Sequence, residues 1–158
     1  MRLAAIDIGS NAARLLISDV LHNEKGEVVF NKLNLVRVPL RLGLDVFSVG
    51  RISKERTNMI LHTMKAYRHL LNAYEVVHLK ACATSAMRDA ANSQDILRRV
   101  KMETGIDIDI ISGGDEAAYI DENHIAENMA VENNYLYIDV GGGSTETTCF
   151  SKGKLVFK

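Results

Sequence analysis

Tryptophan is absent, proline occurs once, at Pro39, and cysteine only at Cys82 and Cys149. With one proline and no low-complexity stretch, no flexible or proline-rich linker separates independent modules. Two distant cysteines in apolar segments make neither a disulfide framework nor a zinc motif. They read as buried free thiols in a reducing compartment. Long apolar runs are also missing. The opening Met1-Arg2-Leu3-Ala4-Ala5-Ile6-Asp7 returns to charge too soon for a secretory signal or a spanning helix, and no later stretch is long enough. A cytoplasmic location and no membrane partner are the resulting expectations. Nor does either charge dominate: 19 Lys and Arg stand against 20 Asp and Glu, a net charge of -1. Global attraction to nucleic acid is therefore not expected, and any polyanion would have to be held by local groups.

What is present is enough apolar residue, 47% of 158 positions, for a sizeable core. Residues 2–8 form an apolar run ending in Asp7-Ile8-Gly9-Ser10-Asn11, a turn signal. A second apolar run covers 12–20, a second turn follows at His22 to Gly26, and 27–38 alternate as a third strand. Residues 43–52 read as loop, and Ser53 suits the N-cap of a helix reaching about 74. Ile60, Met64, Tyr67, Leu71 and Tyr74 mark its apolar face. A strand at 76–82 precedes a polar helical stretch from Ser85 to Thr104, broken near Asn92-Ser93 and stopped by Gly105. A strand over 106–111, a helix from Asp115 to Met129, a strand over 135–140 and strands over 144–150 and 154–157 complete the order. Strands alternating with helices predict an α/β domain with a mixed sheet covered by helices.

The end of the chain resembles its beginning. Leu3 to Gly9 and Leu136 to Gly141 are both apolar strands running into Asp-x-Gly, small residues and another strand. That repeat predicts two homologous halves, divided as 1–130 and 131–158, with the second half cut short.

Glycine-rich turns between strands aim backbone N–H groups into one concavity and suit phosphate oxygens. Gly141, Gly142 and Gly143 exceed what a tight hairpin needs, and Ser10, Asn11, Ser144 and Thr145 add side-chain donors. Asp7 and Asp139, at strand ends, suit magnesium, which prefers carboxylate, water and phosphate oxygens. For Asp7 alone a simple hairpin turn is an equal account. Thr84 and Ser85 lie at a helix start where anions are favoured, and Arg88 stands one turn in. Capping with a surface Arg88–Asp89 pair is the more economical account of that segment by itself. Likewise Asp115 and Glu116 follow Ser112-Gly113-Gly114 at a helix start, where acidic capping is common, although a general base orienting water would occupy such a place too. The five histidines are scattered with no ligand spacing.

Four blocks, taken in order, resemble the Ppx/GppA phosphatase family. They are Asp7-Ile8-Gly9-Ser10-Asn11 with Arg14-Leu15, Ala83-Thr84-Ser85-Ala86 with Arg88-Asp89-Ala90 and Asn92, Ile111-Ser112-Gly113 with Asp115-Glu116-Ala117, and Asp139-Val140-Gly141-Gly142-Gly143-Ser144-Thr145-Glu146. The resemblance implies a ribonuclease H-like lobe of the actin-like ATPase fold, the superfamily of acetate and sugar kinases, heat-shock chaperones and actin. It also implies release of terminal phosphate from inorganic polyphosphate, or conversion of pppGpp to ppGpp, with magnesium as cofactor. By motif position it makes Glu116 the catalytic base. Arg88, Ser10, Asn11 and Gly141 to Thr145 become phosphate-binding, and Asp139, Glu146 and Asp7 metal-associated. A homodimer is the expectation for the full-length protein. The chain departs from the family pattern at Ala12, at Gly114-Asp115, at Ala118 and at Glu122-Asn123-His124. With half of the cleft missing, the 158 residues alone are expected to be inactive. A non-hydrolytic phosphate or nucleotide sensor, an actin-like assembly module and an ATP-dependent kinase of the same superfamily are the competing readings.

Overall fold

In the computed structural model the chain is organised around two sheets. Residues 1–116, 132–142, 145–152 and 154–157 are described, with the side chains of Asp139, Glu146 and Leu155 excepted. The first sheet contains β1 (Arg2–Ile8), β2 (Ala12–His22), β3 (Val28–Pro39), β4 (His78–Ala83) and β5 (Asp109–Ile110) in the spatial order β3-β2-β1-β4-β5. β1, β2 and β3 form an antiparallel meander, whereas β4 and β5 run parallel to β1. The meander follows from the tight turns at 9–11 and 23–26, and the parallel strands from helical crossovers. The second sheet holds β6 (Asn134–Val140), β7 (Thr145–Ser151) and β8 (Lys154–Phe157) as an antiparallel meander.

Period-two alternation in β1 puts Ala4, Ile6 and Ile8 in the core and Asp7 on the opposite face. Leu15 and Ile17 of β2 join that core. Two helices pack against it: α2 (Lys54–Ala73), through Ile60, Met64, Tyr67 and Leu71, and α4 (Ser93–Thr104), through Ile96 and Val100. Ser53 caps α2 by accepting from the Arg56 amide, as its position predicts. The Tyr67 hydroxyl lies 3.0 Å from the Ala13 carbonyl and 3.2 Å from that of Val36, tying α2 to β2 and β3. Burial pushes its pKa up to about 12, so the hydroxyl stays a donor at any physiological pH.

Three features differ from the sequence expectation. Most of residues 43–52, expected as loop, belongs to a helix, α1 (Leu42–Val49), which buries Leu42 and Val46 one turn apart and ends at Gly50 with φ 72°. Its glycine, misleading by composition, is where the helix meets Ser10: the Gly43 amide donates to the Ser10 carbonyl at 2.9 Å. The strand expected over 106–111 shrinks to Asp109–Ile110, because Ile106 and Ile108 are buried in the core without joining the ladder. Cys82 and Cys149 are free but half-buried rather than enclosed. The break predicted near Asn92-Ser93 is real: α3 (Ser85–Asp89) stops before α4 begins at Ser93. Asn92 holds the break by pairing with both backbone groups of Ile52, at 3.0 and 2.9 Å. The helix expected from Asp115 to Met129 is helical from 113 to 116, and the rest lies outside the described residues.

Candidate functional site

β1 and β4 run parallel and end side by side, with Ile8 opposite Ala83. The turn after β1 and the helix start after β4 therefore meet at one end of the sheet. There the Ser10 and Ser85 hydroxyls share a buried hydrogen bond of 2.8 Å. The Leu40 and Arg41 amides donate to the Asn11 carbonyl, and the Gly43 amide to that of Ser10. Those carbonyls face α1, so the amides of the same peptide units, Asn11 and Ala12, face away from it, toward the cavity those residues line. Arg41, with φ 54°, adopts a left-handed conformation to make the corner.

The second sheet brings its own turn to this end. Val140 pairs with Thr145 at the tip of the β6–β7 hairpin, and Asp139 with Glu146 one step below. Gly142 lies directly against the first turn: a Cβ there would stand 2.8 Å from Asn11 Nδ2 and 3.0 Å from Ser10 Cβ. The absence of a side chain is what lets the two turns touch.

Between them is a mostly polar cavity of about 180 Å³, lined by Asp7, Ser10, Asn11, Arg14, Glu116 and Gly142, with neighbouring backbone. The residues after β5 explain why Glu116, rather than its neighbour, takes part. Ser112 caps the helical turn at 113–116: its hydroxyl donates to Asp115 Oδ2 at 2.7 Å and accepts from the Asp115 amide at 3.1 Å. The Ser112 amide also donates to that carboxylate. This reciprocal capping holds the Asp115 carboxyl below the usual range and consumes it. Glu116, half-buried, is left to line the cavity. The two carboxylates that the sequence placed at one helix start are thus divided between structure and cleft.

Of the residues expected to form the site, Asp7, Ser10, Asn11, Glu116, Gly141 and Gly142 come together around the cavity. Arg88 does not line it. Its Nη1 donates to the Ile111 carbonyl at 2.9 Å, so it braces the segment leading to Glu116. Thr145 lies at the start of β7, exposed and outside the lining. Gly143 and Ser144 fall outside the described residues. Asp139 and Glu146 are placed only by their strand register.

Sequence reasoning missed Arg14 as a member of the site. Its Nη1 lies 3.2 Å from Asp7 Oδ2, and both residues line the cavity. The signal was available: a two-residue turn centred on Ser10-Asn11 makes Asp7 and Arg14 cross-strand partners, and the register confirms it. Burial raises the Asp7 pKa, partly offset by the charge and hydrogen bond of Arg14. Among the described residues no group of three His, Cys, Asp or Glu side chains is arranged to hold a metal. What the cavity offers is hard oxygen: Asp7, Glu116 and the Ser10 and Asn11 side chains. That donor set fits magnesium, which keeps several waters and takes one or two carboxylates together with phosphate oxygens.

Two facing strand-turn-strand loops, one per sheet, define this chain as part of an actin-like ATPase fold built around a phosphate-sized cleft. Solved structures agree. An exopolyphosphatase from Cytophaga hutchinsonii aligns with a TM-score of 0.83 and 30% identity, covering 99% of this chain and 49% of that one. The Ppx/GppA family member of Aquifex aeolicus aligns with a TM-score of 0.78 and 31% identity, at 99% and 49% coverage. Exopolyphosphatase 1 of Mycobacterium tuberculosis is 32% identical over 155 residues, 94% of this chain and 42% of that protein. The model of the Ppx/GppA phosphatase family matches residues 20–157. The chain belongs to the Ppx/GppA phosphatase family. It spans less than half the length of the Mycobacterium tuberculosis relative. No helix among the described residues is long and apolar enough to cross a membrane.

Proposed function

We propose that the full-length protein is a phosphohydrolase that releases terminal orthophosphate from inorganic polyphosphate, with pppGpp to ppGpp conversion as the alternative substrate use. The observation that carries this reading is the meeting of Asn11 and Gly142 around a polar cavity lined by Glu116. The names of the Mycobacterium tuberculosis and Cytophaga hutchinsonii relatives, both exopolyphosphatases, favour polyphosphate.

Hydrolysis of a phosphoric anhydride needs an oriented water, neutralised equatorial oxygens and a stabilised leaving phosphate. Backbone amides of the two turns, with the Ser10 and Asn11 side chains, grip the terminal phosphoryl group. Glu116 accepts a hydrogen bond from water and aims it in line with the bond to be broken. As the new P–O bond forms, the proton passes to the Glu116 carboxylate, and the bridging P–O bond breaks toward the remaining chain. The products are orthophosphate and a chain one unit shorter. Asp7, with Asp139 and Glu146 by family position, would hold magnesium, which supplies positive charge against the phosphate oxygens. Arg14 adds a cation from β2, and Arg88 acts by holding Ile111 and therefore the Glu116 turn.

The test is orthophosphate release by the full-length protein, with and without magnesium, from long-chain polyphosphate, pppGpp and ATP side by side. Magnesium-dependent release from polyphosphate or pppGpp is expected. Tight binding of either without release would turn the reading to a sensor, and release from ATP alone to a kinase-like protein.

A further inference from the structure

One cation on the cleft side of the first sheet has no part in the scheme above. The register sets Asp7 of β1 opposite Arg14 of β2, and Arg14 opposite Arg37 of β3. Directly opposed residues project to the same face, with Cβ atoms about 4.5–5.5 Å apart. Asp7, Arg14 and Arg37 therefore form one row across three strands, starting in the cavity and running outward toward the sheet edge. The row continues the other way through Cys82 and Asp109, and there Lys80 already neutralises Asp109 at 2.6 Å. The Arg37 end differs. Arg14 is paired with Asp7 on one side and faces a like charge on the other. Arg37 is exposed on the edge strand and has no ion pair among the described residues. Like charges directly opposed on a sheet are destabilising, and an anion lying between two guanidinium groups removes that penalty through charge-assisted hydrogen bonds.

We infer that Arg37 and Arg14 form a second phosphate subsite, which holds the inner phosphates of a linear polyphosphate while the terminal one occupies the cavity. The inference rests on the phosphohydrolase reading for what fills the cavity. The subsite favours chains over short phosphate anhydrides, because only a chain reaches from the turn at Ser10-Asn11 across β2 to β3. Arg37 is a substrate-positioning residue: it touches the chain, not the reacting phosphorus.

The experiment compares binding of long-chain polyphosphate and of diphosphate to the full-length protein and to Arg37→Ala, Arg37→Lys and Lys80→Ala, with thermal unfolding of each. Arg37→Ala is expected to weaken long-chain binding about tenfold and diphosphate binding much less. It should also flatten the dependence of log Kd on log salt by about one unit, as loss of one phosphate-contacting cation does. Arg37→Lys restores the salt slope, and Lys80→Ala, which removes a cation from the same face, changes neither. Equal weakening of both ligands, no weakening, or an equal effect from Lys80→Ala overturns the inference and leaves the functional reading standing. A wild-type protein that binds neither ligand overturns both.

Discussion

Gly142 and Asn11, from different sheets, are so close that a Cβ at 142 would lie 2.8 Å from Asn11 Nδ2. It would also lie 3.0 Å from Ser10 Cβ, which is anchored to the backbone and has no rotamer to escape by. Gly142→Ala must therefore push the two turns apart. We expect it to lower kcat/KM on polyphosphate by about tenfold to a hundredfold, the usual consequence of misplacing a grip on substrate by a fraction of an ångström. Gly43→Ala is the control. Its Cβ would meet the half-exposed Phe47 ring at 2.8 Å, and that ring can swing into solvent. Steady-state kinetics of the pair provide the check, and equal losses would mean the contact at Gly142 is unimportant.

Glu116 and Asp115 are adjacent carboxylates with separate tasks. Glu116→Gln is expected to lose at least about a hundredfold in turnover, the range for a general base, while still binding phosphate. Asp115→Asn should retain the base and lose part of the Ser112 cap, lowering Tm slightly with a smaller effect on turnover. Orthophosphate release and thermal melts on both variants separate the assignments. Near-normal turnover in Glu116→Gln would refute the base.

The Ser10–Ser85 hydroxyl bond joins the two halves of the cavity wall. Ser85→Ala leaves the Ser10 hydroxyl without this buried partner and should cost about 1–3 kcal/mol. Ser85→Thr keeps a hydroxyl, and an intermediate Tm is expected for it. Unchanged melting of Ser85→Ala would show that the bond contributes nothing net.

Asp45 pins α1 to the start of α2, accepting from the Ser53 amide at 2.9 Å and from Arg56 Nε at 2.8 Å. These hydrogen bonds, that from Ser53 foremost and then the pairing with Arg56, outweigh desolvation and hold its pKa below the usual carboxylate value. A group with a depressed folded pKa stabilises fully above its unfolded pKa, about 3.9 for Asp. That stability is lost as pH falls through the lower folded value. Asp45→Asn should thus cost about 1 kcal/mol near neutral pH, with the difference from wild type shrinking below the unfolded pKa. Denaturant melts across pH would check this, and a gap that widened on acidification would reverse the assignment.

Local pattern carried much of the architecture. The three-strand meander, the Ser53 cap, the buried stripe Ile60-Met64-Tyr67-Leu71, the break at Asn92 and the stop at Gly105 were all legible, because each depends on residues within one or two turns of chain. α1 was not, since Gly43 reads as loop until the Ser10 carbonyl is there to receive its amide. Nor was the short β5, whose neighbours Ile106 and Ile108 favour core over ladder.

The site divides along the same line. The amino-acid sequence by itself determined the family, the two glycine-rich turns and the candidate chemistry of Ser10, Asn11 and Glu116, because these are matters of residue type and order. Only the tertiary structure decided that Asp115 caps while Glu116 faces the cavity, that Arg88 braces Ile111, and that Arg14 enters the site. Those outcomes depend on strand register and on contacts between segments remote in sequence. Such contacts form only when both sheets are in place, and no local periodicity encodes them.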